Sequence, residues 1–350
     1  MSTEQTLDHV VITGSSGWLG SELIRGLTEG LSQSKYYSNP SPNLQITAMD
    51  LPGKESFKHS NVQPSFGDIC NPEDCKKAVA NKPGLTLFHL AGVIHPKKVA
   101  EFYKTNRDGT KNILEAAATQ KPRRIVVVSS NSPFGCNPHN DHVFDEWSSY
   151  NPYMGYGQSK MQMEYAVKEF RRTTGINAIL IRAPWFYGPN PPDRQREFFS
   201  MIRKGRFPIL GKGENRRSMV YLENLIQGLI HASLADVHQQ DYWVADERPY
   251  PMMEIIKTVG YALEQEFGIK VKKNRLRLPW ITGQIAQVID YCLQKLGIYH
   301  QKIHVLSEMN KNIACSIDKA RRELDYNPQY SIETGIKEAI RWHLNKGQSI

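Results

Sequence analysis

The sequence predicts an α/β protein, a doubly wound parallel sheet followed by a smaller, mostly helical C-terminal lobe. Three features predict it. Short β-branched or apolar runs alternate with helical stretches through the first half of the chain. The first run flows into a glycine-spaced turn, and from Pro184 onward the pattern becomes irregular, proline-rich and then helical.

Taken in order, strands are expected at 9–13, 44–50, 62–66, 85–90, 124–129 and 176–182, each a short apolar run closed by turn residues. Helical patterns lie between them at 17–31, 72–81, 99–119 and 153–174. Residues 32–43, rich in Ser, Asn, Tyr and Pro and without periodicity, read as a surface insertion before the second strand. After Pro184, helices are expected at 193–204, 223–235, 251–267, 279–296 and 331–346, with 241–245 returning as a strand. Residues 1–183 are thus read as a nucleotide-binding domain and 184–350 as a substrate-binding lobe, of which about 236–247 rejoins the core sheet. No internal repeat or low-complexity tract is visible.

With 350 residues, 40% hydrophobic and 23% charged, the chain is long enough for one large α/β domain and a lobe, and too charged for an integral membrane protein. Residues 1–9 carry Glu4 and Asp8 and no apolar run, so neither a signal nor a transit peptide is expected and the compartment is read as cytoplasmic. The apolar stretch 278–296 is broken by Gln284, Gln287 and Asp290, which reads as an amphipathic helix covering a pocket or a neighbour, not a membrane span. Five cysteines without a CxxC pair read as buried thiols. The net charge of +9 is spread over Lys35, Lys97, Arg123, Arg171, Arg203 and Lys272, with no single tract. That spread does not suit nucleic acid, and a phosphate-bearing cofactor or substrate accounts for the surplus.

The segment HVVITGSSGWLG runs from a strand into Gly14, Gly17 and Gly20 as a helix begins. Gly14 permits the tight turn, Gly17 lets backbone approach a pyrophosphate, and Gly20 lets helix and strand pack closely, the fingerprint of a Rossmann nucleotide site. Asp50 ends the second strand, where a carboxylate holds both adenosine ribose hydroxyls and repels a 2′-phosphate, so NAD is expected over NADP; the other reading is an aspartate capping the next turn. Asp68 follows the third strand, either as an acid near the adenine or as a turn residue.

Ser129 and Ser130 end the fifth strand, and Tyr156 lies one helical turn before Lys160, so phenol and ammonium share a helix face. A free tyrosine has a pKa near ~10, and a neighbouring ammonium favours its ionised form. In that arrangement Tyr156 moves a substrate proton while Ser130 steadies the reacting oxygen and Lys160 holds the ribose. A tyrosine and lysine at this spacing alone would be a solvated surface pair; the glycine turn and Ser-ended strand before them supply the context. His300 and His304, and His139 and His142, lack a third ligand, so they are read as surface or pocket-edge residues and no metal is expected.

These pieces together resemble the extended short-chain dehydrogenases/reductases, the branch of NAD-dependent nucleotide-sugar epimerases, dehydratases and reductases and of 3β-hydroxysteroid dehydrogenases. The matching stretches are TGSSGWLG at 13–20, MDL at 49–51, GDI at 67–69, HLAG at 89–92, TNRDGTKNILEAA at 105–117, SSNSPFG at 129–135, YGQSK at 156–160 and RAPWFYGP at 182–189. The resemblance implies that Asn106 joins Ser130, Tyr156 and Lys160 in the active site. It also implies that Ser16, Trp18, Leu19, Leu51, Ile69, Leu90, Ala91, Gly92 and Pro184 join the glycines, Asp50 and Asp68 in lining the cofactor groove. A homodimer formed by the 99 and 153 helices is a further implication. Three departures stand out: HLAG for the commoner HLAA, Pro133 and Phe134 where Val and Tyr are usual, and Trp185 where many sugar-nucleotide enzymes have Asn.

For the substrate, GRFPILGKGENRRSMVYLENL at 205–225 resembles the part of sugar-nucleotide 4-epimerases and 4-ketoreductases where an Arg meets the diphosphate. Arg217 is the first candidate, Arg216 the second, and the alternative is a solvent-exposed arginine beside Glu214. Asn131 and Trp185 complete the substrate side. A pocket-facing guanidinium suits phosphate and gives a steroid nothing to pair with. The long 279–318 stretch pulls the other way, since it resembles the helical cover of hydroxysteroid dehydrogenases and offers Trp280, Ile281, Ile285, Val288 and Ile289 as an apolar face. The expected activity is therefore oxidoreduction or epimerisation of a nucleotide sugar, of the 4-epimerase, dehydratase or 4-ketoreductase type, with a sterol or lipid alcohol second and a catalytically silent NAD-binding regulator third.

Overall fold

The computed structural model describes residues 6–31, 34, 36–273 and 275–350. Residues 1–5, Ser32, Gln33 and Lys35 of the stretch read as a surface insertion, and Asn274 lie outside the described residues. The first half runs β1 His9–Thr13, α1 Trp18–Glu29, β2 Gln45–Asp50, β3 Val62–Phe66, α2 Pro72–Val79, β4 Thr86–His89, α3 Val99–Phe102, α4 Thr110–Ala118, β5 Arg124–Ser130, α5 Met154–Thr174 and β6 Ala178–Ala183. There follow β7 Trp185–Tyr187, α6 Asp193–Arg203, β8 Ile209–Leu210, β9 Arg216–Arg217, β10 Met219–Tyr221, α7 Leu222–Leu234, β11 Asp241–Trp243, β12 Tyr250–Pro251 and α8 Met252–Tyr261. The chain closes with β13 Arg277–Leu278, α9 Ile281–Lys295, α10 Gln301–Glu308, α11 Asp318–Leu324 and α12 Ile332–Asn345.

Seven parallel strands form the central sheet in the order β11-β6-β5-β4-β1-β2-β3. Its strand order reverses between β1 and β4, which opens a crevice at their C-terminal ends. Alternate residues of β1 serve both faces: Val10 and Ile12 pack with Leu23, Leu27 and Leu229 of α1 and α7, while Val11 packs with Leu87, Val127 and Val167 on the opposite face. That two-sided burial explains why the strands read as continuous apolar runs. β11 rejoins the sheet because Asp241 accepts from Arg171 of α5 at 2.7 Å and from Arg182 of β6 at 3.1 Å. A third core unites Phe199 of α6, Ile255 of α8 and Ile340 of α12.

Three sequence readings are corrected here. The single helix expected over 99–119 contains π-helical turns at Tyr103–Gly109, where the Asn106 side chain reaches back to the chain at Val93. α10 and α11 went unpredicted, being short and weakly periodic. α9 turns the apolar face expected to cover a pocket or a neighbour away from the rest of the chain: it buries Gly283, Ala286 and Asp290, while Ile281, Ile285, Val288 and Ile289 are exposed. Its inner face is small because it lies against its neighbours closely; a Cβ on Gly283 would stand 2.6 Å from Asn310.

Two smaller readings change as well. His304 is buried, its Nδ1 2.7 Å from the Asp290 carboxylate, whereas His300 is exposed at the start of α10. Cys75 and Cys315 are buried, but Cys292 is exposed on α9.

Candidate active site

The glycine turn stands at the crevice. Gly14 adopts φ 72°, and a Cβ there would lie 2.9 Å from the Ala91 backbone just beyond β4. Gly20 faces back onto the turn, where a Cβ would come within 2.2 Å of the Gly14 carbonyl. Gly17 is exposed at the N-terminus of α1, leaving that end of the helix open to an anion. Ser16 donates both its N–H and its hydroxyl to Asp50 Oδ2, at 2.7 and 2.6 Å, and Leu51 N–H donates to Asp50 Oδ1 at 2.8 Å. Asp50 therefore caps its own turn, and its bonds to Ser16 set it beside the glycine loop.

Other expected groove residues anchor this frame. Trp18 donates from Nε1 to the Pro189 carbonyl at 2.7 Å, and Leu19 and Pro184 are buried. Leu90 and Ala91 donate to the Thr13 carbonyl and hydroxyl, both at 3.2 Å. Gly92 lies next to Asn106, where a Cβ would be 3.1 Å from Oδ1. Asp68 closes a turn by accepting from Cys70 N–H at 2.8 Å, and buried Ile69 packs against Gly109. An uncovered helix N-terminus, a glycine cradle and a carboxylate beside it fit a dinucleotide.

Ser130, Tyr156 and Lys160 come together where β5 ends against α5. The two elements are fastened by Glu164, which accepts from Ser129 Oγ at 2.6 Å, from Tyr150 Oη at 2.6 Å and from buried Arg182 at 2.8 Å. Burial alone would lower the Arg182 pKa, and Glu164 more than reverses that. Burial pushes the Tyr156 phenol up to about 12, opposed by its hydrogen bond with Ser130 and by the Arg194 charge. Burial likewise pulls Lys160 down to about 8, against the field of Glu164, while its ammonium donates to the Val128 carbonyl at 2.8 Å. Without a cofactor's charge, burial wins and Tyr156 is a phenol. Asn106 is committed internally, donating to Ser159 Oγ at 3.0 Å and Val93 carbonyl at 3.1 Å, so it positions α5 and the 92–93 loop.

On the substrate side, Asn131 Oδ1 lies 3.5 Å from Ser130 Oγ. Trp185 stands edge-on to Phe198, ring centres 5.2 Å apart. Arg216 and Arg217 are both half-buried. The Arg216 guanidinium donates to the Asn140 carbonyl at 3.0 Å, whereas that of Arg217 donates to the Glu308 carbonyl and has a buried Nε without a partner. A cavity of about 590 Å³ between α5 and α9 is bounded by Tyr103, Cys136, Tyr153 and Tyr291; the catalytic trio is not among its walls.

Residues 10–245 match the profile of the NAD dependent epimerase/dehydratase family. The chain belongs to that family. It is similar to an uncharacterized protein, y4nL, of Sinorhizobium fredii, 46% identical over 97% of this chain and 96% of the other. It is also similar to a dTDP-glucose 4,6-dehydratase of Escherichia coli, 25% identical over 96% of this chain and 93% of the other. The structure of DesIV, a dTDP-glucose 4,6-dehydratase of Streptomyces venezuelae with NAD bound, superposes with a TM-score of 0.73 at 18% identity, covering 96% of this chain and 97% of that one. As an epimerase/dehydratase family member the protein is an enzyme, and its cofactor is NAD.

Several groups around the crevice of this epimerase/dehydratase-family chain escaped the sequence reading. Arg194 of α6 is exposed, yet its charge reaches both Tyr156 and Tyr299. His95 Nδ1 lies 2.9 Å from Tyr299 Oη, and burial pulls that imidazole down to about 4. His89, at the end of β4, bridges Thr13 and Thr110 at 2.7 and 2.8 Å, and burial holds it near 3 and hence neutral. His89 had a signal in its place in HLAG and Arg194 falls in the helix expected over 193–204, but nothing local aims Arg194 or Tyr299 at the crevice. Among the described residues no cluster of three His, Cys, Asp or Glu is placed to hold a metal ion, and no helix is long and apolar enough to cross a membrane.

Proposed function

We propose that this chain oxidises or reduces a carbinol or ketone carbon of a nucleotide sugar, acting as a 4-epimerase or 4-ketoreductase. The observation that carries the reading is the hydrogen-bonded Ser130 and Tyr156 pair beside buried Lys160, at the crevice end of the sheet. Gly14, Ser16, Gly17, Trp18 and Leu19 would hold the pyrophosphate of NAD, Asp50 and Leu51 its adenosine ribose, Asp68 and Ile69 the adenine, and Leu90, Ala91, Gly92 and Pro184 would line the remainder of the groove. Bound there, NAD would supply the hydride acceptor and donor. Tyr156 moves the proton at the reacting oxygen, Ser130 donates a hydrogen bond to that oxygen, and Lys160 keeps positive charge beside both. Residues 1–183, with Pro184, thereby carry the cofactor, and residues 184–350, with Asn131, the substrate contacts.

Dehydration is disfavoured by the residues next to Ser130. Expelling water from a keto sugar needs a second acid–base group beside Tyr156. Positions 131 and 132 offer a neutral Asn and Ser, the carboxylate of Glu164 is spent on Ser129, Tyr150 and Arg182, and that of Glu308, whose charge reaches Tyr156, faces His304 Nε2 at 3.7 Å. Arg217 supports the nucleotide-sugar substrate, since its partnerless Nε seeks an acceptor such as a diphosphate oxygen.

The test needs no knowledge of the sugar. Titrating uridine and thymidine diphosphates into the NAD-loaded protein should show binding that falls roughly ten- to a hundredfold in Arg217→Ala, the loss of one charge-assisted contact. With a responsive nucleotide sugar, Tyr156→Phe should cut turnover by about 10²–10⁴ while NAD still binds. Oxidation of a sterol or acyl alcohol without response to either diphosphate would replace this reading with the hydroxysteroid-dehydrogenase one.

A further inference from the structure

α9 is an amphipathic helix mounted inside out. Its inner residues, Gly283, Ala286 and Asp290, are small or polar, while Ile281, Ile285, Val288, Ile289, Cys292 and Leu296 form a continuous outward stripe. Val288 is 64% exposed and Leu296 75%, and Trp280 stands beside the first turn, also exposed. The helix is firmly seated despite this: Gln294 accepts from Gly155 N–H at 2.9 Å, Gly297 carbonyl accepts from Val99 N–H at 3.1 Å, and Asp290 is bonded to His304 at 2.7 Å. A stripe of this length left to water needs something to cover it.

The charge around the stripe says what. Lys270, Lys272, Lys273, Arg275 and Arg277 lead into the helix, Lys295 ends it and Lys302 follows. Between Phe267 and Ser307 the only acid is Asp290, buried and bonded to His304. A second copy of the chain meeting this face through a two-fold axis would bring like charge against like. At 15 residues the helix is too short to span a bilayer, whereas an exposed apolar stripe with a tryptophan at its first turn, preceded in the chain by a basic run, has the composition of a helix lying in the interface plane.

We propose that α9, with the basic 270–277 segment, docks the enzyme on a lipid surface bearing anionic headgroups. The stripe enters the headgroup and acyl boundary, Trp280 sits at headgroup level, and the lysines and arginines meet the negative charge. Because Gln287, Tyr291, Gln294 and Lys295 of the same helix wall the cavity between α5 and α9, that cavity opens next to the membrane.

Co-sedimentation of the full-length protein with vesicles decides it. The protein should partition into phosphatidylcholine vesicles containing about 30% phosphatidylglycerol, much less into phosphatidylcholine alone, and less as salt is raised. Val288→Gln/Ile289→Gln, at exposed positions, should keep the circular dichroism of the parent and lose at least about tenfold in partition. Lys272→Gln/Lys273→Gln should weaken it about fivefold per cation. Failure to bind the anionic vesicles, equal binding to both kinds, or a dimer that Val288→Gln/Ile289→Gln dissolves while vesicles are ignored, would overturn the proposal.

Discussion

Asp50 uses both carboxylate oxygens to hold the turn it ends and the glycine loop beside it. Its Oδ2 is held by Ser16 N–H and hydroxyl, and its Oδ1 by Leu51 N–H, so the carboxylate is fixed beside the glycine turn. A 2′-phosphate brought to that place meets a like charge. Asp50→Ala should therefore raise NADP affinity relative to NAD by roughly tenfold or more, read by calorimetric titration of both nucleotides; an unchanged ratio would remove Asp50 from cofactor selection. Asp50, Ser130, Tyr156 and Lys160 were legible because each stands at a strand end or helical spacing fixed by local sequence. Glu164 and Arg182 were not recognised as the clamp that registers β5 against α5. They lie 18 residues apart on different elements, and only the folded packing of α5 on β6 brings them to 2.8 Å.

At the level of elements, the glycine turn and α1 behave as one unit. Gly20 lies on the helix, yet its missing side chain is what lets α1 begin so close to Gly14. Gly20→Ala places a Cβ against a carbonyl that cannot move without shifting the turn, so stability should drop by about 1–3 kcal/mol in denaturant unfolding, with NAD binding weakened as well. Retention of both would show that the turn has slack the geometry does not suggest. The strands were readable to within a few residues because their two-sided burial leaves an apolar run. The π turns around Asn106 were not, since they arise from a tertiary pull on one side chain. α9 teaches a different point: periodicity located its apolar stripe correctly, but says nothing about which side the rest of the chain will cover.

For the molecule as a whole, the joint between sheet and C-terminal lobe is a buried carboxylate. Asp246, after β11, accepts from Tyr221 N–H and Asn224 Nδ2 at 2.8 Å and from Tyr187 Oη at 2.9 Å, while Asn224 also donates to the Tyr330 carbonyl ahead of α12. Burial pushes this carboxyl up to about 7, although all three hydrogen bonds act to lower it. Between the ordinary aspartate value near ~4 and about 7, the folded protein holds a proton that the unfolded chain has lost. Its contribution to stability is therefore greatest in acid and disappears as pH rises through about 7. Asp246→Asn removes the titration and keeps the contacts: Oδ1 still accepts from Tyr221 and Asn224, and the amide donates to Tyr187 Oη, whose hydrogen turns to the Ser331 carbonyl at 3.4 Å. Urea unfolding at about pH 5 and about pH 8 should show wild type losing up to about 2–3 kcal/mol more than the variant across that interval. Parallel losses in the two proteins would mean that Asp246 is ionised in the fold throughout, and that the lobe is held to the sheet by a buried charge instead of a proton.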